Sequence, residues 1–74
     1  MYNLSIVLTD GSQAKITGIT SINMTNPKDN SVNTINEAGF ELFVPYASYF
    51  YNFISQDEIF TTFGQNIKTL YFYE

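Results

Sequence analysis

The amino-acid sequence predicts a mainly β domain, a small barrel of five strands with one short helix before the last strand. Apolar and polar residues alternate along several stretches, glycine or proline separates these stretches, and 18% of the residues are aromatic. The 74 residues have room for one hydrophobic core, so we expect a single domain over residues 1–74. Because the chain has neither cysteine nor histidine, dense packing or self-association must stabilise it in place of disulfides or zinc.

The first hairpin can be predicted down to its register. Apolar and polar side chains alternate over residues 2–8, and an Asp-Gly pair follows. A three-residue loop over 9–11, with its glycine in the left-handed conformation, places Ile6 beside Ala14. A loop shorter by one residue would place Ile6 beside Lys15. We expect the longer loop, because the shorter one pairs an apolar side chain with a charged one.

The second strand is predicted over residues 13–24, with Gly18 as a bulge or bend. Residues 25–38 are rich in Asn, Asp and Ser, and they predict a mobile loop. The acidic and amide residues of this segment partly match a calcium-binding loop. Thr34, however, stands where such a loop needs glycine for its sharp turn, so we expect no metal there.

Two further strands are predicted in the middle of the chain. The mostly apolar residues 40–44 predict a strand that ends at Pro45, because proline removes a ladder hydrogen bond. Residues 49–54 have strong strand propensity. The aromatic residues of 46–54 would also share one face of a helix. We expect the strand, because aromatic and branched side chains lose rotamer freedom in a helix.

A helix and a final strand complete the prediction. Ser55 and Glu58 form a capping-box pattern, which predicts a short helix over residues 56–63. Residues 67–73 predict the last strand, and their apolar residues fall on both faces. Such a strand is expected to be central or covered by a partner. The order of these elements resembles that of the SH3-like and Sm-like barrels.

The composition excludes the commonest kinds of catalysis. Without His, Cys or Arg the chain can form no Ser-His-Asp triad, no thiol nucleophile and no arginine clamp on phosphate. A carboxylate pair of Glu41 with Asp57 or Glu58 would need a deeper cleft than so small a domain provides. The four glycines are too dispersed to cradle a phosphate. We therefore expect neither an enzyme nor a bound cofactor or metal.

Charge restricts the partners. Seven acidic residues against three lysines give a net charge of −4 and an isoelectric point near 4.3. Nucleic-acid binding depends on Lys and Arg at phosphates, so direct binding is not expected. The sequence shows no basic leader with an apolar core and no apolar run of about 18 residues. We expect a soluble cytoplasmic protein without membrane contacts.

The acidity favours a module that binds another protein. Carboxylates can stand in for phosphates and steer the chain toward a basic, nucleic-acid-binding surface, where tyrosines would anchor it. Small phage or mobile-element proteins that block host defence nucleases, anti-CRISPR proteins among them, are similar in size, acidity and A/T-rich coding. The predicted contact residues are Glu37, Glu41, Tyr49, Tyr51, Asp57 and Glu58.

The alternative is a structural module that assembles with itself. Its predicted interface is the last strand, which would pair across a symmetry axis in a homodimer. The interface residues are Leu70, Tyr71, Phe72 and Tyr73. Twelve of the thirteen aromatic residues lie between Phe40 and Tyr73. We therefore expect the C-terminal half to carry most of the core and of any interface.

Overall fold

The computed structural model describes residues 1–74 as one antiparallel sheet with two short 3-10 helices. The strands follow the order β5-β4-β2-β1-β6, and β3 pairs with β2. No pairing joins β5 to β6, so the sheet is open. The mainly β fold is confirmed, whereas a closed barrel of five strands is not. The elements are β1 (Tyr2–Leu8), β2 (Gln13–Thr25), β3 (Val32–Asn36), η1 (Glu37–Leu42), β4 (Phe50–Ser55), β5 (Ile59–Phe63), η2 (Gly64–Asn66) and β6 (Ile67–Tyr73).

The β1–β2 hairpin has the predicted register. Ile6 lies beside Ala14, and Gly11 adopts a left-handed φ of 89°. The Gly11 amide donates to the Leu8 carbonyl at 3.0 Å and closes the loop. Only this register keeps the charge of Lys15 away from the core, as the sequence required.

β2 is the long central strand, and it is bulged at Gly18. Gly18 has a φ of 67°, and β2 gains one residue on β1 at this point. The Gly18 amide donates to the side-chain oxygen of Asn3 at 3.0 Å. A second irregularity follows between Ile19 and Ser21, where β2 pairs with β4. The predicted bulge is confirmed, and it lets β2 pair with β1 first and with β3 and β4 beyond it.

The prediction of a loop over 25–38 is wrong for its second half. β3 pairs with β2 from Thr25 beside Val32 to Ser21 beside Asn36. Only the intervening residues make a turn, with Asn30 in a left-handed conformation. β3 was not predicted because four of its five side chains are exposed, so its sequence shows little apolar alternation. The strand is stabilised by backbone pairing with β2.

Residues 40–44 form no strand. Asn36 ends β3 and caps η1, because its side-chain oxygen accepts a hydrogen bond from the Ala38 amide at 3.2 Å. The η1 turn carries Phe40 into the core, and the Phe43 amide donates back to the Phe40 carbonyl at 3.1 Å. The turn thus buries the single aromatic ring of Phe40, whereas a strand would have buried every second side chain.

The predicted helix over 56–63 is also wrong, because this segment is a hairpin turn and β5. The Ser55 hydroxyl does accept the Glu58 amide at 3.1 Å, as in a capping box. The Ser55 amide, however, donates to the Glu58 carbonyl at 2.9 Å and so closes a turn between β4 and β5. β4 confirms the strand expected near 49–54. β6 confirms the last strand but lies at the edge of the sheet, not in its centre.

The core lies under β1 and β2. Of its eight buried hydrophobic residues, five come from these two strands and three from the C-terminal half. The expectation that the C-terminal half carries most of the core is therefore wrong. Its aromatic residues lie largely on edge strands and connecting segments, where several remain exposed. The buried residues are Leu4, Ile6, Ile16, Ile19, Ile22, Phe40, Tyr51 and Phe53. No helix has the length and apolarity needed to cross a membrane.

Candidate functional site

A cleft of about 310 Å³ opens where the start of β1, the end of β6 and η1 meet. We name it the Tyr2 cleft. β1 and β6 form one wall because Leu4 pairs with Phe72, and η1 forms the other wall. The lining residues are Tyr2, Phe40, Glu41, Phe43, Leu70, Tyr71 and Phe72.

Packed aromatic rings form the floor of the Tyr2 cleft. The rings of Phe40 and Phe72 stack with centroids 4.7 Å apart, and Tyr2 meets Phe40 edge-on at 5.5 Å. Offset or edge-on pairs of this kind contribute beyond the area that they bury. Phe40 is itself buried in the core, so the floor is anchored. The cleft is therefore a preformed aromatic surface.

Three carboxylates lie near enough to Tyr2 to act on its hydroxyl, and one of them, Glu41, lines the cleft. Partial burial raises the pKa of the Tyr2 hydroxyl, and the negative charges of Glu41, Glu74 and Glu37 raise it further. All three charges therefore act on one point of the surface. No group of three or more acidic side chains is arranged to hold a metal ion. The site combines diffuse negative charge with aromatic surface.

The predicted acidic contacts divide into two groups. Glu41 in η1 lines the Tyr2 cleft, and the charges of Glu37, also in η1, and of Glu74 act on the Tyr2 hydroxyl. Asp57 and Glu58 lie in the β4–β5 turn, and β4 pairs along the opposite edge of β2 from β1. Glu74 was missed because only the pairing of β6 with β1 brings it near Tyr2.

The two predicted tyrosine contacts are not equivalent. Tyr51 is fully buried, and its hydroxyl accepts the Tyr46 amide at 2.7 Å. Burial raises the pKa of this hydroxyl. The side chain of Tyr51 is therefore not available for contact with a partner. Its alternation with Phe53 in β4 is the signal that could have shown it to be inward-facing. Tyr49 is half-buried beside the exposed Tyr46, at 5.9 Å between centroids.

The predicted self-association residues alternate across β6. Leu70 and Phe72 turn inward and line the Tyr2 cleft. Tyr71 and Tyr73 turn outward, 58% and 40% exposed, with centroids 5.7 Å apart. The strand pairs with β1 on one side only. Half of the predicted interface residues therefore face solvent, next to an open edge.

A second cleft of about 370 Å³, which no pattern in the sequence indicated, lies on the other side of Phe43. It is mostly apolar, and Leu42 on its rim is 86% exposed. Val44 and Tyr46, in the segment after η1, are also exposed. The lining residues are Met24, Ile35, Gly39, Leu42, Phe43, Val44 and Tyr46.

The Tyr2 cleft is suited to binding cationic groups. Carboxylates attract lysine or arginine side chains, and aromatic faces stabilise them through cation–π contacts. The cleft holds no His, Cys or Ser that could serve as nucleophile or base.

Comparison of this chain with protein-family models, with curated proteins and with solved structures found no match.

Proposed function

We propose that this chain is a small protein-binding module that docks on a basic, nucleic-acid-binding surface of another protein. The observation that supports the proposal is that Glu41 lines the aromatic Tyr2 cleft and that the charges of Glu37 and Glu74 also act on Tyr2. A groove that binds phosphates presents lysine and arginine side chains. The carboxylates would occupy the positions that phosphates take in the nucleic-acid complex.

Charge and aromatic surface have separate roles in such a complex. The net charge of −4 would accelerate encounter with a basic surface, and this contribution weakens with salt. The half-buried rings of Tyr2 and Phe72, which line the cleft, would then supply contact area, since aromatic residues dominate the energy of most interfaces. Partners of this description include host nucleases that defend against phages or mobile elements. We place the interaction in the cytoplasm, where such nucleases act.

The test compares two variants that each remove two charges. E37Q/E41Q alters the Tyr2 cleft, and D57N/E58Q alters the β4–β5 turn. The partner is captured from a host lysate with the wild-type protein, and binding is then measured with purified components at several salt concentrations. We expect E37Q/E41Q to weaken the complex by about tenfold or more. D57N/E58Q should have a much smaller effect, and nucleic acid should compete with the wild-type protein.

Two results would contradict the proposal. Equal weakening by both variants would mean that only net charge matters. A complex that is insensitive to salt and to competing nucleic acid would mean that the partner surface is not a nucleic-acid site.

A second function, self-assembly through β6, is favoured by the outward-facing Tyr71 and Tyr73 beside the open edge of this strand. A homodimer formed there would cover both rings. Light scattering at high protein concentration tests it, and Tyr71→Ser should then reduce the average mass. A wild-type protein that stays monomeric would exclude this function.

A further inference from the structure

β5 is an edge strand without the usual protection against pairing. Natural edge strands are commonly interrupted by lysine, proline or a bulge. The five residues of β5, Ile59–Phe63, include no charge and no proline, and their pairing with β4 has no register shift. Ile59 is 64% exposed and Phe63 is 42% exposed. The strand therefore presents a regular, uncharged and partly apolar edge.

The hydrogen bonds at the two ends of the β4–β5 pair show which groups of β5 are free. The Ser55 amide bonds the Glu58 carbonyl at 2.9 Å, and the Gly64 amide bonds the Tyr49 carbonyl at 2.8 Å. Hydrogen-bonded and non-hydrogen-bonded pairs alternate in an antiparallel ladder. The intervening residues that bond to β4 are thus Phe60 and Thr62. The N–H and C=O groups of Ile59, Thr61 and Phe63 point away from the sheet.

We propose that a second copy of this chain pairs with β5 in antiparallel orientation, about a two-fold axis at Thr61. Thr61 is the middle residue of the strand, so it would face Thr61 of the second copy. Ile59 would face Phe63 of the second copy, and the reverse. All three are hydrogen-bonded positions in this register, so every outward N–H and C=O group of β5 acquires a partner.

The side chains match in the same register. The exposed Ile59 would cover the exposed Phe63 of the second copy, which is a favourable apolar cross-strand pair. The rings of Phe50 and Phe63 already pack at 4.8 Å, so the apolar row would continue from β4 through the junction. Thr61 would meet Thr61 of the second copy, and threonine pairs are also favourable across strands.

A polar row crosses the sheet and would continue in the second copy. The Thr34 hydroxyl donates to Asn23 at 2.9 Å, and the Thr61 hydroxyl donates to Asn52 at 2.7 Å. Asn23 and Asn52 are directly opposite each other on β2 and β4. The row of four residues ends at the β5 edge with a threonine. Pairing about Thr61 would join two such rows end to end.

The carboxylates nearest to the junction stay far apart in this association. Two chains of net charge −4 repel each other wherever carboxylates meet. In the proposed register Glu58, the charged residue nearest to β5 in sequence, would lie opposite Gly64 of the second copy. The two Glu58 residues would be about 20 Å apart along the strands. This distance exceeds the screening length of about 8 Å at physiological salt.

Pairing about the middle residue is less well matched on the other two open edges. A two-fold axis at Leu70 of β6 would place Lys68 beside Phe72 of the second copy. An axis at Thr34 of β3 would place Val32 beside Asn36. Both arrangements set an apolar side chain against a charged or polar one, which the register proposed for β5 avoids.

Sedimentation tests the proposal with matched threonine-to-lysine variants. One short edge buries less than the roughly 800 Å² per partner of a stable interface, so we expect a dissociation constant of roughly 0.1 to 1 mM. T61K would place two lysines side by side at the axis and should raise this constant about tenfold or more. T69K makes the same charge change on β6 and should leave it unchanged. I59K repeats the test at a side chain without a hydrogen bond.

Cross-linking tests the register. The chain has no cysteine, so T61C introduces a single thiol. Opposed residues in a hydrogen-bonded pair have Cα atoms about 5.5 Å apart, which a disulfide can span. T61C should oxidise to a covalent dimer at least about tenfold faster than T69C. A wild-type chain that remains monomeric up to about 2 mM would overturn the proposal. So would a dimer that T69K weakens and that T61K and I59K do not.

Discussion

The Tyr2 cleft and the outer face of β2 to β5 differ sharply in charge. The cleft gathers three of the seven carboxylates around one tyrosine. The outer face, by contrast, has no charged residue over β3, β4, β5 and the part of β2 that pairs with β3 and β4. The molecule therefore segregates its charge, so that one end is suited to a basic partner and the other to a neutral one. The outer face consists of Ser21, Asn23, Thr25, Val32, Thr34, Asn36, Phe50, Asn52, Ile54, Ile59, Thr61 and Phe63.

The largest expected effect is a loss of stability on substitution of Gly64, which would affect the fold that supports both regions. A Cβ at Gly64 would overlap the Tyr46 carbonyl and lie 3.0 Å from the Tyr51 ring. We expect Gly64→Ala to destabilise the fold by about 3 kcal/mol, because backbone would have to move. Gly11→Ala is the control: it meets nothing within 4 Å and should cost only about 1 kcal/mol for its positive φ. Urea unfolding measures both, and equal losses would contradict the clash.

Removal of the buried hydroxyl of Tyr51 should have the next largest effect. Tyr51→Phe leaves the partly buried Tyr46 amide without its acceptor, so we expect a loss of about 1.5 kcal/mol. Tyr73→Phe removes an exposed hydroxyl and should be nearly neutral. Thermal unfolding of the two variants compares them. An unchanged stability of Tyr51→Phe would mean that the Tyr46 turn is not held by this bond.

The polar row of the outer face should contribute less to the free energy of unfolding. Thr61→Val and Asn52→Ala each remove one partner of an exposed hydrogen bond. In a double-mutant cycle we expect a coupling free energy of about 0.5 kcal/mol. The measurement is made at low micromolar concentration, below any self-association. A coupling of zero would mean that the two residues share the face without stabilising it.

The smallest effect concerns the titration of Tyr2. Its pKa is raised in the folded state, so its contribution to stability is complete below the unfolded pKa near 10 and is lost as the pH rises above that value. E37Q/E41Q should lower the Tyr2 pKa, because two of the three charges that raise it are gone. D57N/E58Q should leave it unchanged. NMR titration of the Tyr2 ring measures both, and equal shifts would contradict the convergence of charge at the Tyr2 cleft.

Sequence reasoning succeeded where a local rule had one acceptable outcome. The register of the first hairpin follows from keeping Lys15 out of the core, and Gly18 marks the bulge. β4 and β6 follow from strand propensity. Each of these elements carries its own signal within a few residues.

The wrong elements depend on distant partners or on ambiguous signals. The Ser55–Glu58 hydrogen bond forms in a helix cap and in this hairpin turn alike, so the pattern alone does not choose between them. β3 has little apolar periodicity and exists because β2 offers it a free edge. The Tyr2 cleft was only half predicted, since Glu74 reaches it through the pairing of β6 with β1.

The strand order also has a consequence for how the chain folds. β1 meets β2 across a three-residue loop, but it meets β6 across almost the whole chain. Contacts so distant in sequence form slowly, because loop closure must precede any gain from pairing. We expect β6 to join last and, at the edge of the sheet, to open first in hydrogen exchange. Binding through the Tyr2 cleft would then slow the exchange of β6 amides most, since β6 completes that cleft.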